Sequence, residues 1–144
     1  MTLFEQLKFQ LKDHEGEVTN ERGAHICYQD SLGINTIGYG RNIDEKGLSE
    51  EEAEHLLKND IAESIYQASE LLSSTWDLLS QNRKAVVVDM VFNMGLTRFM
   101  GFKKMIAALH AGDYYEAAEQ MIDSKWYGQV GRRGENLVLM MREG

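Results

Sequence analysis

The N-terminal third of the chain contains two carboxylates and a hydroxyl whose positions could support acid–base chemistry on a sugar. Glu15 ends a predicted helix, Asp30 lies in a turn after a predicted strand, and Thr36 lies on the next predicted strand. Hydrolysis of a glycosidic bond needs a proton donor for the leaving oxygen and a second group that activates water or stabilises positive charge. Glutamates at helix ends and aspartates in turns are also ordinary structural features in a chain with 23 acidic residues. The pattern alone therefore leaves both interpretations open.

The elements that would position these side chains differ in their periodicity. Apolar residues recur at helical spacing over residues 3–13 and predict an amphipathic helix. Five glycines between residues 16 and 40 flank two β-prone segments, Ile26–Tyr28 and Ile34–Tyr39. This composition predicts a small, hairpin-rich sheet with a turn near residue 32.

The rest of the chain has helical patterns. Residues 43–48 are predicted to form a loop, and the capping box Ser49-Glu-Glu-Glu52 predicts a helix that continues to Leu72. A helix capped by Ser80 and ended by Gly95 is apolar on all sides and is therefore predicted to be the buried central helix. Three further helices are predicted over residues 102–110, 113–125 and 131–141. Strands grouped near the N-terminus and followed by helices predict the α+β class.

Composition and charge exclude several classes of protein. The net charge is −8, and residues 44–63 alone carry −6, which is typical of a solvated helix face. There is no basic stripe of the kind that binds nucleic acid. The longest near-apolar segment, Ala85–Phe92, is too short to span a bilayer, and the first residues lack the pattern of a signal peptide. We therefore expect no nucleic-acid partner, no membrane insertion and no export by a signal of its own.

The single cysteine, Cys27, excludes an internal disulfide and is predicted to be a small buried apolar residue. No Cys/His cluster has the spacing of a zinc site, so we expect neither a metal nor an organic cofactor. Trp126 is predicted to pack in the interior rather than to stack on a sugar.

Several segments of the chain resemble phage-type lysozymes, which are glycoside hydrolase family 24. The resemblance covers nearly the whole chain in the order of the family, and the Asp-x5-Thr-Ile-Gly-x-Gly pattern that begins at Asp30 is specific to it. The similar segments are His14–Val18, Cys27–Ile43, Leu48–Glu54, Asp89–Gly95, Gly101–Phe102, Asp113–Ala118 and Ser124–Leu137.

The resemblance implies a role for each candidate residue. Glu15 would be the general acid, Asp30 would position or activate the attacking water or stabilise positive charge, and Thr36 would help to hold that water. The family also implies an inverting reaction. Phe92 and Asn93 match the segment that lines the floor of the family's cleft.

Arg133 would approach Glu15 and neutralise or orient it, with the adjacent Arg132 as its rival. A cation beside a carboxyl lowers the pKa of that carboxyl, which opposes the role of a general acid. If Glu15 is the general acid, we therefore expect burial of its carboxyl, or a movement of the arginine away from it, to offset this lowering of the pKa.

The segment between the proposed acid and Asp30 is longer than is common in the family. The excess resembles a six-residue insertion, about Thr19–Ala24, at the rim of the cleft or on the surface. The common spacing would fit Glu21 rather than Glu15, but Glu15 ends the first helix and precedes a glycine. Glu15 is therefore the preferred acid, with Glu21 as the alternative.

The resemblance also implies a lysozyme-like architecture for residues 1–144. A small N-terminal sheet lobe, about residues 14–60, would be joined by a long helix to a helical C-terminal lobe. That lobe would contain residues 73–144 and the first helix, residues 3–13, with the cleft between the lobes.

Three functional hypotheses follow. The first is a muramidase that acts on peptidoglycan glycan strands as a monomeric endolysin. It would stay in the host cytoplasm until a holin opens the inner membrane, and would then reach the periplasm and cell wall. The second is a non-catalytic lysozyme-fold module that binds glycan or belongs to a virion. The third is a lytic transglycosylase, which the presence of Asp30 and Thr36 disfavours because that chemistry needs no water-activating carboxylate.

Overall fold

The structure is a computed structural model that describes residues 1–144. The first helix, α1, spans Leu3–Glu15, two residues beyond its predicted end. Thr2 and Glu5 form a reciprocal capping box, in which the Glu5 amide donates to Thr2 Oγ1 at 3.1 Å and the Thr2 amide donates to Glu5 Oε2 at 2.9 Å. The helix ends at Gly16, whose φ of 69° favours glycine. No residue of α1 is buried.

A three-stranded antiparallel sheet follows, with the order β1-β2-β3. Its strands are β1 (Tyr28–Gln29), β2 (Asn35–Ile37) and β3 (Arg41–Asn42). The first two strands are shorter than predicted, and β3 was not predicted. The register pairs Thr36 with Tyr28 on one side and with Asn42 on the other, so Thr36 lies on the central strand.

The long helix α2 spans Glu50–Leu72, which confirms both predicted ends. The predicted capping box is also confirmed. The Glu52 amide donates to Ser49 Oγ at 3.1 Å, and the Ser49 amide donates to Glu52 Oε1 at 2.9 Å.

Seven more helices complete the chain. The helix predicted over residues 113–125 is wrong in its extent, because α7 ends at Ile122. Ser124 then caps a new helix by accepting a hydrogen bond from the Tyr127 amide at 3.2 Å. The short helices α3 and α5 were not predicted. The bounds are α3 Ser74–Leu78, α4 Gln81–Met94, α5 Leu96–Met100, α6 Lys103–His110, α7 Tyr114–Ile122, α8 Lys125–Val130 and α9 Arg132–Glu143.

The chain divides into two compact units, unit 1 (Met1–His55) and unit 2 (Leu56–Gly144). Every buried apolar side chain belongs to unit 2. Helix α4 contributes Val86, Val87, Met90 and Val91 to this core, as predicted for the central helix. Trp126 is 7% exposed, which confirms its predicted packing role.

In unit 1 only Thr36 is buried. The predicted burial of Cys27 is wrong, because Cys27 immediately precedes the edge strand β1 of a small sheet and is exposed. None of the nine helices combines the length and the apolar character needed to cross a bilayer. The small sheet near the N-terminus and the helices that follow it confirm the predicted α+β class.

Candidate active site

Glu15 is the last residue of α1, and its side chain lies against the backbone of the turn after β2. A methyl group on the Gly40 Cα would come within 2.9 Å of Glu15 Oε2 and within 3.1 Å of its carboxyl carbon. Gly40 has a φ of 87°, so a side chain there would strain the backbone and also meet the carboxyl group. The close approach of the Glu15 carboxyl to this turn therefore depends on the glycine.

Asp30 begins the turn of the β1–β2 hairpin. Its Oδ1 accepts hydrogen bonds from the amides of Leu32 (2.8 Å) and Ile34 (2.9 Å), which is the arrangement of an Asx turn. The backbone closes the same turn, since the Gly33 amide donates to the Asp30 carbonyl at 2.9 Å. One carboxylate oxygen thus orients the side chain, and Oδ2 is left without a protein donor.

Thr36 is held in the middle of the sheet with 4% exposure. Its hydroxyl donates to the Ile34 carbonyl at 2.9 Å. Because a hydroxyl has one proton and two lone pairs, Oγ1 keeps the capacity to accept a hydrogen bond from a water.

The structure therefore places all three predicted catalytic residues in unit 1. Asp30 and Thr36 belong to one hairpin, and Glu15 contacts the turn that leaves the second strand of that hairpin. The arrangement supplies one carboxyl at a helix end and one fixed by a turn, two environments in which carboxyl groups can take different roles.

The alternative acid, Glu21, lies in a different setting. It occupies the exposed tip of a short hairpin formed by the segment interpreted as an insertion. The Asn20 side chain closes this tip by accepting hydrogen bonds from the amides of Arg22 (2.9 Å) and Ala24 (3.0 Å).

An ion pair next to the sheet was missed by the sequence analysis. Arg41 on β3 donates to both carboxylate oxygens of Glu52, at 2.9 and 2.5 Å, and also to the Gly47 carbonyl at 3.1 Å. The hydrogen bond from Arg41, followed by those from Ser49, lowers the pKa of Glu52 to about 2, and the same contact raises the pKa of Arg41. The capping box identified Glu52, but no sequence signal named its partner.

The remaining predicted site residues belong to unit 2. Phe92 is 41% exposed and lines an apolar groove of about 530 Å³, whose walls also include Trp76 and Val88. At the edge of this groove Arg133 Nε donates to Asp89 Oδ1 at 2.6 Å. The partner of Arg133 in this ion pair is thus Asp89, an aspartate that was not predicted as a site residue.

Asn93 lines a second, smaller concavity and not the groove that contains Phe92. Its Oδ1 accepts a hydrogen bond from Nε1 of the buried Trp126 at 3.0 Å. Asn93 therefore has a structural role within unit 2. The structure contains no group of three or more His, Cys, Asp or Glu side chains that could hold a metal ion.

The small N-terminal sheet and the helices that follow it are those of a lysozyme-like α+β fold. The Phage lysozyme family matches residues 18–142, and the chain belongs to this family. It is therefore a glycoside hydrolase-type enzyme with a lysozyme-like function.

Individual relatives agree with the family match. The chain is 28% identical to Probable T4-type lysozyme 2 of Dictyostelium discoideum, over 96% of this chain and 94% of that protein. It is 34% identical to the Endolysin of Acyrthosiphon pisum secondary endosymbiont phage 1, over 69% of this chain and 66% of that protein. It is also 28% identical to the pre-baseplate central spike protein Gp5 of Enterobacteria phage T4, over 92% of this chain but only 25% of that protein.

The family match covers all the candidate site residues except Glu15. Residues 18–142 include Asp30, Thr36 and the three candidates in unit 2, whereas Glu15 precedes the range.

Proposed function

We propose that this enzyme is a muramidase that hydrolyses the β-1,4 bond between N-acetylmuramic acid and N-acetylglucosamine in bacterial peptidoglycan. Glu15 donates a proton to the leaving glycosidic oxygen. Asp30 accepts a proton from the attacking water through Oδ2, and Thr36 Oγ1 helps to hold that water. The bond from the anomeric carbon to the leaving oxygen breaks as the bond to the water oxygen forms, so the anomeric configuration inverts.

One observation carries this proposal: the Glu15 carboxyl lies against the turn after β2, and β2 belongs to the hairpin that holds Asp30 and Thr36. A proton donor and a water-activating pair are thereby attached to one small unit. The exposed tip position of Glu21 offers no comparable contact with the sheet.

Residues of unit 2 have supporting roles in this proposal. Phe92 provides an exposed aromatic surface for substrate, and Asn93 fixes the buried Trp126 by accepting a hydrogen bond from its Nε1. Arg133 orients or neutralises Glu15. The hydrogen bond to Asp89 occupies Nε of Arg133 and leaves its two Nη groups as donors.

The test of the proposed function is mass spectrometry of the soluble products released from purified peptidoglycan. The wild type is compared with Glu15→Gln and with Glu21→Gln, which is the matched control. Reducing muropeptides that disappear only with Glu15→Gln would support the hydrolase and its acid. Disappearance only with Glu21→Gln would move the acid to the hairpin tip, and 1,6-anhydro products would replace the hydrolase with a transglycosylase.

We further propose that the enzyme acts as a monomeric endolysin, which waits in the host cytoplasm until a holin gives it access to the periplasm and cell wall. The similarity to a phage endolysin supports this use. Expression in the host bacterium should cause lysis only when a holin is produced together with it. Lysis without a holin would overturn the dependence.

A virion-associated role is the second candidate, because a spike protein contains a similar region within a quarter of its length. In that case the chain would bind glycan or form part of a particle. A well-folded protein that sediments with purified peptidoglycan but releases no products would favour this candidate in its non-catalytic form.

We also propose that the first helix, residues 3–13, belongs with the helical lobe of residues 73–144, and that residues 14–60 form the sheet lobe. The support is that α1 is amphipathic, whereas unit 1 has no apolar core to receive its apolar face. Native-state hydrogen exchange tests this, since amides of α1 should open with the same free energy as those of α4. Opening together with the sheet would contradict it.

A further inference from the structure

The turn that contacts Glu15 is itself held by aromatic and charged side chains. The Lys12 Nζ lies 4.9 Å from the centroid of the Tyr39 ring. The edge of the His25 ring meets the same ring, with the centroids 5.0 Å apart and an interplanar angle of 67°. Lys12 and Glu15 are three residues apart on α1 and therefore lie on neighbouring positions of one helix face.

Tyr39 and Gly40 thus touch the last turn of α1 at two points. The Tyr39 ring meets Lys12, and the Gly40 backbone meets the carboxyl group of Glu15. The next residue, Arg41, is bound to Glu52 at the start of α2. Gly40 therefore lies between two residues whose side chains are anchored to different elements.

The segment interpreted as an insertion is an ordered hairpin. Thr19 and His25 form an antiparallel bridge, and the Ile26 amide donates to the Val18 carbonyl at 3.0 Å. At the base of the hairpin His25 Nε2 lies 3.4 Å from Glu17 Oε2. The returning arm of the hairpin thereby brings His25 to Tyr39.

Two side-chain contacts position the imidazole of His25, whose backbone is held by the bridge to Thr19. Its Nδ1 atom is buried and has no hydrogen-bond partner in the chain, so Glu17 on one side and the Tyr39 ring on the other determine where the imidazole lies. Glu17 follows Glu15 by two residues, so the hairpin leaves the helix end and returns to the turn that contacts Glu15.

We propose that the inserted hairpin braces the general acid, with His25 and Tyr39 as positioning residues for Glu15. The inference rests on the proposed role of Glu15. A glutamate at the exposed end of a helix has a flexible side chain and a helix end that frays. The contact of Gly40 with its carboxyl restricts that freedom only if the turn is held in place. Tyr39 holds this turn in place through its contact with Lys12, and His25 packs against the Tyr39 ring.

The test measures initial rates on a soluble, uncross-linked peptidoglycan glycan oligomer, together with thermal unfolding of each variant. Tyr39→Leu should lower kcat by about 10-fold to about 100-fold, because a displacement of about 1 Å can cost about 100-fold in rate. KM should change by less than about twofold, since the variant loses orientation of the acid and not substrate contact. Tyr39→Phe keeps the ring and should retain the rate of the wild type.

Matched controls separate bracing from a general effect on the fold. Tyr66→Leu removes an exposed tyrosine of α2, and His55→Ala removes an exposed histidine of the same helix, so both should leave kcat unchanged. His25→Ala should lower kcat, and its effect should largely vanish in the Tyr39→Leu background, because His25 acts through that ring.

The outcomes distinguish this inference from the proposed function. Products that persist in Glu15→Gln would remove Glu15 as the acid, and the brace would lose its target. If Glu15→Gln is inactive while Tyr39→Leu and His25→Ala keep the kcat of the wild type, the bracing role alone is overturned. An equal loss in Tyr66→Leu, or a loss confined to KM, would also overturn it. If Tyr39→Leu does not fold, His25→Ala measured against His55→Ala decides the question.

Discussion

The two units of the chain are stabilised by different interactions. In unit 2, helices α2 and α4 to α9 each contribute at least one side chain to a set of buried apolar residues that runs from Ala68 to Met141. Helix α3 packs against this set through Trp76. Burial of each large apolar side chain contributes about 1.5–3 kcal/mol. In unit 1 the single buried residue is Thr36, which is polar.

Unit 1 instead depends on directed polar contacts. Asp30 organises the hairpin turn, Arg41 joins β3 to Glu52 at the start of α2, and Gly40 allows the backbone to approach Glu15. The unit that contains the proposed catalytic residues therefore obtains its geometry from turns and ion pairs, whereas unit 2 supplies most of the apolar stabilisation. Substitutions in unit 1 should consequently affect activity more than stability, and the reverse should hold in unit 2.

The largest effect on stability is expected in the core of unit 2. Phe99 is fully buried, so Phe99→Ala should lower the free energy of unfolding by about 3–5 kcal/mol through lost burial and a residual cavity. Phe9→Ala, at a position that is 79% exposed, is the matched control and should have little effect. Denaturant unfolding measures both. Equal losses would contradict the contrast between the units.

A smaller loss is expected when a buried polar group in unit 2 loses its partner. Asn93→Ala leaves Nε1 of Trp126 without an acceptor, which should cost about 1–3 kcal/mol. Asn136→Ala, at an exposed position of α9, serves as the control. An Asn93→Ala protein as stable as the wild type in thermal unfolding would remove the structural role assigned to this hydrogen bond.

The Gly40→Ala variant separates the effect of backbone strain on stability from the effect of the Glu15 contact on activity. Gly40 and Gly112 both have positive φ angles, 87° and 70°, so alanine at either position should cost about 1–2 kcal/mol of stability. Only at Gly40 does the new methyl group meet Glu15, whereas nothing lies within 4 Å at Gly112. Hydrolysis of peptidoglycan should therefore fall sharply in Gly40→Ala and not in Gly112→Ala. Similar activities in the two variants would show that this close contact is not needed.

The smallest effect concerns the ion pair of unit 1 and depends on pH. The pKa of Glu52 is lowered from 4.5 to about 2, so its contribution to stability is fully present above pH 4.5 and is lost as the pH falls towards 2. Glu52→Gln should be less stable than the wild type at neutral pH, and the difference should shrink across this range. Thermal unfolding between pH 2 and pH 7 measures it, with Glu54→Gln as the control. A difference that is independent of pH would contradict the assignment.

Local patterns predicted much of the fold and part of the candidate site. The ends of α2 follow from a capping box and from the extent of the apolar periodicity, and both signals lie within a few residues of the positions they specify. The Asx turn at Asp30 is likewise a local hydrogen-bonding pattern. The break at Ser124 was missed because the helical periodicity continues across it, although Ser124 is a good N-cap residue.

The amino-acid sequence alone predicted the α+β class, the capped start of α2 and the hairpin turn, and its resemblance to a family implied the candidate catalytic residues. Three contacts could be read only from the folded chain: Arg133 pairs with Asp89, Glu15 lies against Gly40, and the His25 ring meets the Tyr39 ring. Helices and turns form through hydrogen bonds between residues that are near neighbours in the chain, so a local sequence pattern can predict them. Contacts between distant segments depend on how whole elements pack, and the residue types at either end do not specify their partners.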